Sequence, residues 1–430
     1  MKRVSLFTIA AALAFGAAVP AAAYQPSDAV EEFDQGELGD ELRTLIAGAQ
    51  EAMNAEGTPV DIAAVRGQLE QAEALIQNND ERFIVGQLFV SLAAKMQEQN
   101  VDAAQTRATQ ARGLHLSLNS DRVTLDRRGI YWQVVANAAN AAGDTAGAIE
   151  AFRNALHYDP NNADAHIQVA LASFNAGDLP AGYQHSRDAF RIARADGGAI
   201  DSSWLSVPFR FAFETRDIAR TIEFGTEYVK EQPNATNWNE VIRVFQTVGA
   251  FDDAGNLDAL RLMRAANAFD AASVHEYIQI AARRGLPNEA KMVYDAAVAG
   301  NAIPANPTIA NELDADIPGD RSGLGESEAQ ARSAANGRVA LNTADAYASY
   351  GQNEKALELY GVAAEKGGVD AGTVNLRRGN VLFNMGRMDE ARQAFEAVTG
   401  DRAGHAAFWL QLIAQRTPGP AAASAEEPAE

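Results

Sequence analysis

A phrase of about 34 residues recurs along this chain, and it narrows the possible folds more than any other feature. Each copy reads as an apolar helix, a glycine-centred turn, and a second helix with a small residue, usually an aromatic four later, and a small or apolar residue three beyond that. The turn glycines set the register. Gly143 and Gly177 are 34 residues apart, and Gly351 and Gly386 are 35 apart. Gly177 and Gly285 are separated by 108, three lengths of 36, and Gly285 and Gly351 by 66, two lengths of 33. Five residues after each turn glycine stands a small residue: Ala148, Gly182, Ala290, Ala356 and Ala391. Four further on, Phe152, Tyr294, Tyr360 and Phe395 are aromatic, with Ser186 the exception.

Two antiparallel helices cannot bury their apolar faces alone, so a sequence of this kind stacks successive pairs into a continuous core. Composition agrees. The chain is 47% hydrophobic but only 7% aromatic, and it has no cysteine. Close-packed helices suit such a chain better than a β-sandwich. The best strand-like alternation, Val207, Phe209, Phe211 and Phe213, contains Pro208, which fits the first turn of a helix.

The pattern resembles the tetratricopeptide repeat (TPR). The unit beginning at Gly129 matches most fully, with Trp132, Ala136, Ala148, Phe152, Ala155 and Pro160. The unit at Ala163 departs at His166 and Ser186, and the unit at Gly337 has Ala340 at the large position. The likeness is clearest over 129–195, 271–300 and 337–400, and faint over 37–118 and 200–270. It implies an all-α, right-handed superhelical solenoid of antiparallel helix pairs spanning 37–416. Residues 301–336 interrupt the array as an atypical insertion rich in Pro, Gly and acids, read as a degenerate pair or a mobile, solvated acidic loop.

The ends carry different signals. Lys2 and Arg3, the apolar run Val4 to Val19, Pro20 and Ala21-Ala22-Ala23 make a signal peptide over 1–23. A membrane anchor is the alternative, disfavoured because the run is slightly short for a span and a small-residue cleavage site follows it. Residues 24–36 read as a flexible lead-in and 417–430 as a disordered tail. Export to the periplasm or outside the cell follows, of the bacterial type, with no membrane span after signal removal. Lack of cysteine suits such a compartment. Removing Lys2 and Arg3 leaves 34 basic residues against 57 acids, a formal charge of −23. That surface repels nucleic acid and anionic lipid.

Searches for chemistry return nothing. There is no phosphate-binding glycine loop, no H-E-x-x-H and no G-x-S-x-G. The six histidines show no ligand spacing on a helix face, so no metal and no cofactor is expected, and the chain does not read as an enzyme. The resemblance instead implies a concave groove lined by the first helix of each pair. Carried over position by position, it gives Asn137, Asn140 and Asn175 among the earlier repeats. It gives His275, Gln279 and Arg283 in the Ala271 unit, and Arg377, Asn380 and Asn384 in the last. Asparagine amides offer a donor and an acceptor to a peptide backbone. Arg283 and Arg377 are suited to a carboxylate, although the groove lacks the lysines of TPR domains that clamp a peptide's terminal carboxylate. Arg187, Arg191 and Arg194 form a stripe on a second helix, read as paired with nearby acids. The expected function is a non-catalytic periplasmic scaffold for a protein or peptide partner. Envelope glycan or polymer binding is the alternative, which needs groove aromatics, of which Phe383 is the main candidate; a third reading is an enzyme with an unrecognised site, in 301–336.

Overall fold

The structure, a computed structural model, describes residues 38–55 and 57–416. The signal peptide at 1–23, the lead-in at 24–36 and the tail at 417–430 lie outside these described residues. Among them are twenty α-helices and no strand. The chain divides into two compact units, 1–198 and 199–430.

The first unit holds α1 (Asp40–Asn54), α2 (Ile62–Ala74), α3 (Asn79–Glu98), α4 (Ala103–Ser117), α5 (Leu125–Ala141), α6 (Thr145–Tyr158), α7 (Ala163–Asn175) and α8 (Leu179–Ala195). The second begins with α9 (Ser202–Glu214), α10 (Ile218–Glu231), α11 (Ala235–Gly249), α12 (Asp253–Ala265), α13 (Ala271–Arg283) and α14 (Pro287–Ala299). It continues with α15 (Pro307–Ser333), α16 (Arg338–Ser349), α17 (Asn353–Lys366), α18 (Ala371–Asn384), α19 (Met388–Glu396) and α20 (Ala403–Arg416).

The five repeats read from sequence are five helix pairs: α5/α6, α7/α8, α13/α14, α16/α17 and α18/α19. Their turn glycines Gly143, Gly177, Gly285, Gly351 and Gly386 all have φ between 70° and 81°, the left-handed region where a side chain costs energy. Many helices then start on an aspartate or asparagine cap. Asp144, Asn162, Asp178, Asp270 and Asp370 each accept a backbone N–H near the start of the helix that follows. Part of the acidic excess is therefore capping chemistry.

The small and aromatic positions meet as the pattern requires. Ala136, Ala148, Phe152, Ala344, Ala356 and Tyr360 are all buried. A Cβ built on Gly379 would lie 2.6 Å from the Phe395 ring, so the small residue of α18 makes room for the aromatic of α19. The exception at Ser186 has a local cause. Here the first helix supplies the ring: Phe174 lies over Gly182, where a Cβ would come within 2.5 Å of it, and packs edge-on against Tyr183 at 4.9 Å.

Two expectations are corrected, at Pro208 and at 301–336, while the faint stretches agree with an array that runs through them. The worn stretches contain full pairs, α1/α2 and α3/α4, then α9/α10 and α11/α12. Their signature is faint partly because the left-handed turn position is held by Asn100, Arg216 and Ala250 instead of glycine. Pro208 is not in a first turn; it sits inside α9 and is buried. Finally, 301–336 is neither a pair nor a loop. It forms α15, a single 27-residue helix that runs through Pro318 and buries only Leu313, Leu324 and Ala331.

Candidate functional site

The second unit closes on itself. Its last helix, α20, packs against α18 and α19 on one side and α10 and α12 on the other. Trp409 stacks on Phe395 at 5.1 Å and meets Phe383 edge-on at 4.9 Å. Gly404 brings α20 so near α10 and α11 that a Cβ there would lie 2.6 Å from Ile222 and 2.9 Å from Phe245. Polar contacts pin the same helix. Gln415 donates to the Val229 carbonyl at 2.7 Å and accepts from the Trp238 indole N–H at 3.3 Å. The guanidinium of Arg416 donates to the Ala265 carbonyl.

His405 belongs to this seam. Its Nε2–H donates to the Gly255 carbonyl at 2.9 Å, and its Nδ1 is buried without a partner. Phe245 and Phe251 crowd the ring. Burial pushes the imidazole from 6.5 down to about 4, against the pull of Asp258. Below pH 6.5 the unfolded chain binds a proton that folded His405 refuses, so stability falls as pH drops from about 6.5 to about 4. The loss from this one group is expected to reach about 3 kcal/mol. Urea unfolding of the protein and of His405→Gln over that range checks it: the variant's pH slope should be shallower, and equal slopes would exclude the histidine as the cause.

Closure leaves an interior filled by the chain's own charges. Asp258 on α12 accepts from Arg261 and Arg377, each at 3.3 Å, and from Arg402 at 3.2 Å. Arg261 grips Glu289 on α14 with two bonds, 2.8 and 2.7 Å. Arg377 on α18 reaches Asp345 on α16 at 2.6 Å. The hydroxyls of Tyr277 and Tyr360 donate to Glu289 and Asp345, each at 2.7 Å. Three guanidiniums thus face three carboxylates, which is the condition for burying charge at bearable cost. Burial opposes ionisation of Glu289, but Arg261 more than offsets it and holds the carboxyl at about 2.

This network relocates the arginines read as groove ligands. Arg377 is 3% exposed and already holds two carboxylates of its own chain. Arg283 is exposed, and Asp253 occupies its fork at 3.0 and 3.1 Å. Phe383 is buried under Trp409, so it is no groove aromatic. Among the expected groove residues, Asn137, Asn140 and Asn175 lie exposed in the first unit, and His275, Gln279 and Asn384 in the second. Asn384 donates to Asn380 at 3.1 Å. Both border a small polar pocket of about 40 Å³ with Arg264 and Asn353. Arg264 lies over the Tyr277 ring at 5.8 Å.

Sequence reading passed over Asp258, Arg261, Glu289 and Asp345. The available signal was their setting. Asp258 and Arg261 are one turn apart among Leu257, Leu260 and Leu262, and Asp345 follows the signature Ala344. Charges on a buried stripe announce partners, but not which ones. In the first unit, His166 and His185 meet across α7 and α8, Nδ1 to Nδ1 at 2.9 Å. Burial, then the neighbouring ring, lowers the pKa of His185. Among the described residues no three His, Cys, Asp or Glu side chains are placed to hold a metal ion. No helix there is long and apolar enough to cross a membrane. Of the arginine stripe on α8, Arg191 pairs with Asp188 at 3.3 Å, and Arg187 and Arg194 are also engaged.

Comparison with known proteins places a tetratricopeptide repeat at residues 373–400, which is α18 and α19. No curated protein matches the sequence significantly. Among solved structures, the TPR domain of P58(IPK) is 12% identical, with a TM-score of 0.24, over 77% of this chain and 99% of that one. The pilF protein of Pseudomonas aeruginosa is 17% identical, with a TM-score of 0.16, over 70% and 99%. The Naa15/Naa10 complex bound to HypK-THB gives 13% identity and a TM-score of 0.21, over 85% and 63%. The chain is an all-α array of antiparallel helix pairs, and α18/α19 matches the tetratricopeptide repeat.

Proposed function

We propose that this protein is a non-catalytic scaffold, exported to the cell envelope, that holds a protein or peptide partner on the polar faces of its first helices. Helix-pair repeats of this type present extended surfaces suited to polypeptide partners. The observation that carries the reading is the amide pair on α18. Asn380 and Asn384 stand one turn apart at the edge of the polar pocket, Asn384 exposed, with Arg264 beside them. Beyond the bond that joins them, their amides keep donors and acceptors suited to a peptide backbone. The closed interior supports a partner held at the rim, since the buried arginines and carboxylates there satisfy one another.

The experiment is affinity capture from a mild-crosslinked envelope fraction, comparing the protein with Asn380→Ala/Asn384→Ala. The double variant is expected to fold normally and to lose most of its partner, on the order of tenfold for two or three lost hydrogen bonds. Undiminished capture removes these amides from the site. Recovery of the protein alone from that fraction counts against the scaffold reading, and its absence from the fraction counts against export.

A further inference from the structure

One arginine of the closed interior has no carboxylate of its own. Arg261, Arg377 and Arg402 each pair with Asp258, Glu289 or Asp345. Arg264, almost one turn beyond Arg261 on α12, makes no ion pair among the described residues; it is half-buried and lies over the Tyr277 ring at 5.8 Å. In a chain with 57 acids against 36 basic residues, a guanidinium left without an acid calls for a reason.

Its surroundings supply one. Arg264 borders the polar pocket, and Arg377 lines the same space. The Nε and Nη1 of Arg377 bond Asp258 and Asp345 at 3.3 and 2.6 Å, while its Nη2 makes no hydrogen bond among the described residues. That side chain is only 3% exposed, and a buried donor left unmade is costly unless something meets it. The amides of Asn353 on α17 and of Asn380 and Asn384 on α18 stand around the same space. Asn384 donates to Asn380, which leaves the Asn380 and Asn353 amide N–H groups unbonded. Glu289 is the one carboxylate of the lining, and Arg261 and the Tyr277 hydroxyl already hold it. Asp258 and Asp345 are not part of the lining. The pocket is therefore rich in donors from α12, α17 and α18 and carries a surplus of positive charge.

We propose that this pocket binds a phosphate group, held between Arg264 and the Nη2 of Arg377, with the Asn353 and Asn380 amides completing the cradle. The spread of the donors favours that ion. A tetrahedral oxyanion distributes its charge over several oxygens, which guanidinium forks and amides can approach from separate helices. Chloride offers a single centre, and a carboxylate offers two oxygens in one plane. Size agrees. The pocket of about 40 Å³ amounts to about three water-sized spheres, room for one small oxyanion with any carrier of it left outside. Bound there, phosphate ties α12 to α17 and α18 and stabilises the folded unit by mass action.

Thermal unfolding and isothermal titration calorimetry of the whole protein test this without any partner present, so the scaffold reading and this one can fail separately. The probes are inorganic phosphate and glycerol phosphate, with sodium chloride at equal ionic strength as the reference. A saturable rise in melting temperature with phosphate and none with chloride is expected. Glycerol phosphate binding as tightly means that the group arrives on a larger carrier; binding of inorganic phosphate alone means the free ion; either supports the site. Arg264→Gln should weaken binding by about tenfold or more, the loss of one charge-assisted contact. Its phosphate-free melting temperature should stay near the parent's, because Arg264 holds no ion pair to lose. Asn353→Asp is isosteric and places a carboxylate in the first turn of α17, where the helix favours it. It should abolish phosphate binding while the phosphate-free protein melts no lower. Arg283→Gln, which changes an exposed arginine outside the pocket, should bind phosphate as the parent does. An equal response to chloride, unchanged affinity in Arg264→Gln and Asn353→Asp, or no binding by either phosphate probe at millimolar concentration overturns the proposal.

Discussion

Arg377→Ala is expected to destabilise the second unit by about 3–5 kcal/mol, because it strips the shared counter-ion from two buried carboxylates. Asp258 and Asp345 are 2% and 3% exposed, and both bond the Arg377 guanidinium. Removing it leaves Asp258 with Arg261 and Arg402, and Asp345 with only the Tyr360 hydroxyl. For a unit of this size the melting temperature should fall on the order of 10 °C. Arg283→Ala is the control, since its pair with Asp253 is solvent-exposed and screened. Differential scanning calorimetry of the two variants decides. Equal small effects would mean that the buried network contributes nothing net and that its charges readily find other partners.

Trp409→Ala is expected to cost about 3–5 kcal/mol, the range for emptying a buried aromatic site. The indole is 1% exposed and lies between Phe395 and Phe383, so its loss unseats α20 from α18 and α19. The effect should be local before it is global. Hydrogen exchange should quicken first at the backbone amides of α20, which reaches the Val229 and Gly255 carbonyls through Gln415 and His405, ahead of α13 and α14. Guanidinium unfolding gives the energy and exchange gives the order. Uniform exchange across the unit would show that α20 is not a separately held closure.

Both variants act on a feature that the repeat pattern does not express. The pattern reports neighbours: a small residue on one helix, an aromatic on the next, a glycine at the turn between them. Ala344, Tyr360 and Gly351 say how α16 meets α17. They carry no information about whether the last helix of an array returns to its beginning. That is why Arg377, legible as a polar position on a first helix, proved to be buried beneath α20's side of the unit and tied to Asp258, 119 residues earlier. The exposed polar side chains Asn137, Asn140, Asn175, His275, Gln279 and Asn384 are reached by the same local reasoning, and for them local reasoning suffices to give exposure. Of the expected positions, Arg377, Asn380 and Asn384 come together at one pocket with Arg264 and Asn353.

The register itself was fully local. Gly143, Gly177, Gly285, Gly351 and Gly386 are legible because only glycine enters the left-handed region without a Cβ penalty. Where Asn100, Arg216 or Ala250 takes the same conformation, the backbone is unchanged and the letter that announced it is gone. The reverse holds at Gly319, where the turn letters are present and the backbone ignores them. By itself, then, the sequence determined the helix pairs, their period and their small-against-aromatic seams, because these rest on contacts between residues near in sequence. Tertiary structure alone decided the closure by α20, the buried set of arginines and carboxylates, and the single helix α15. Those depend on which distant surfaces meet, and the cost of burying a charge or straightening a turn is settled only by the partner found there.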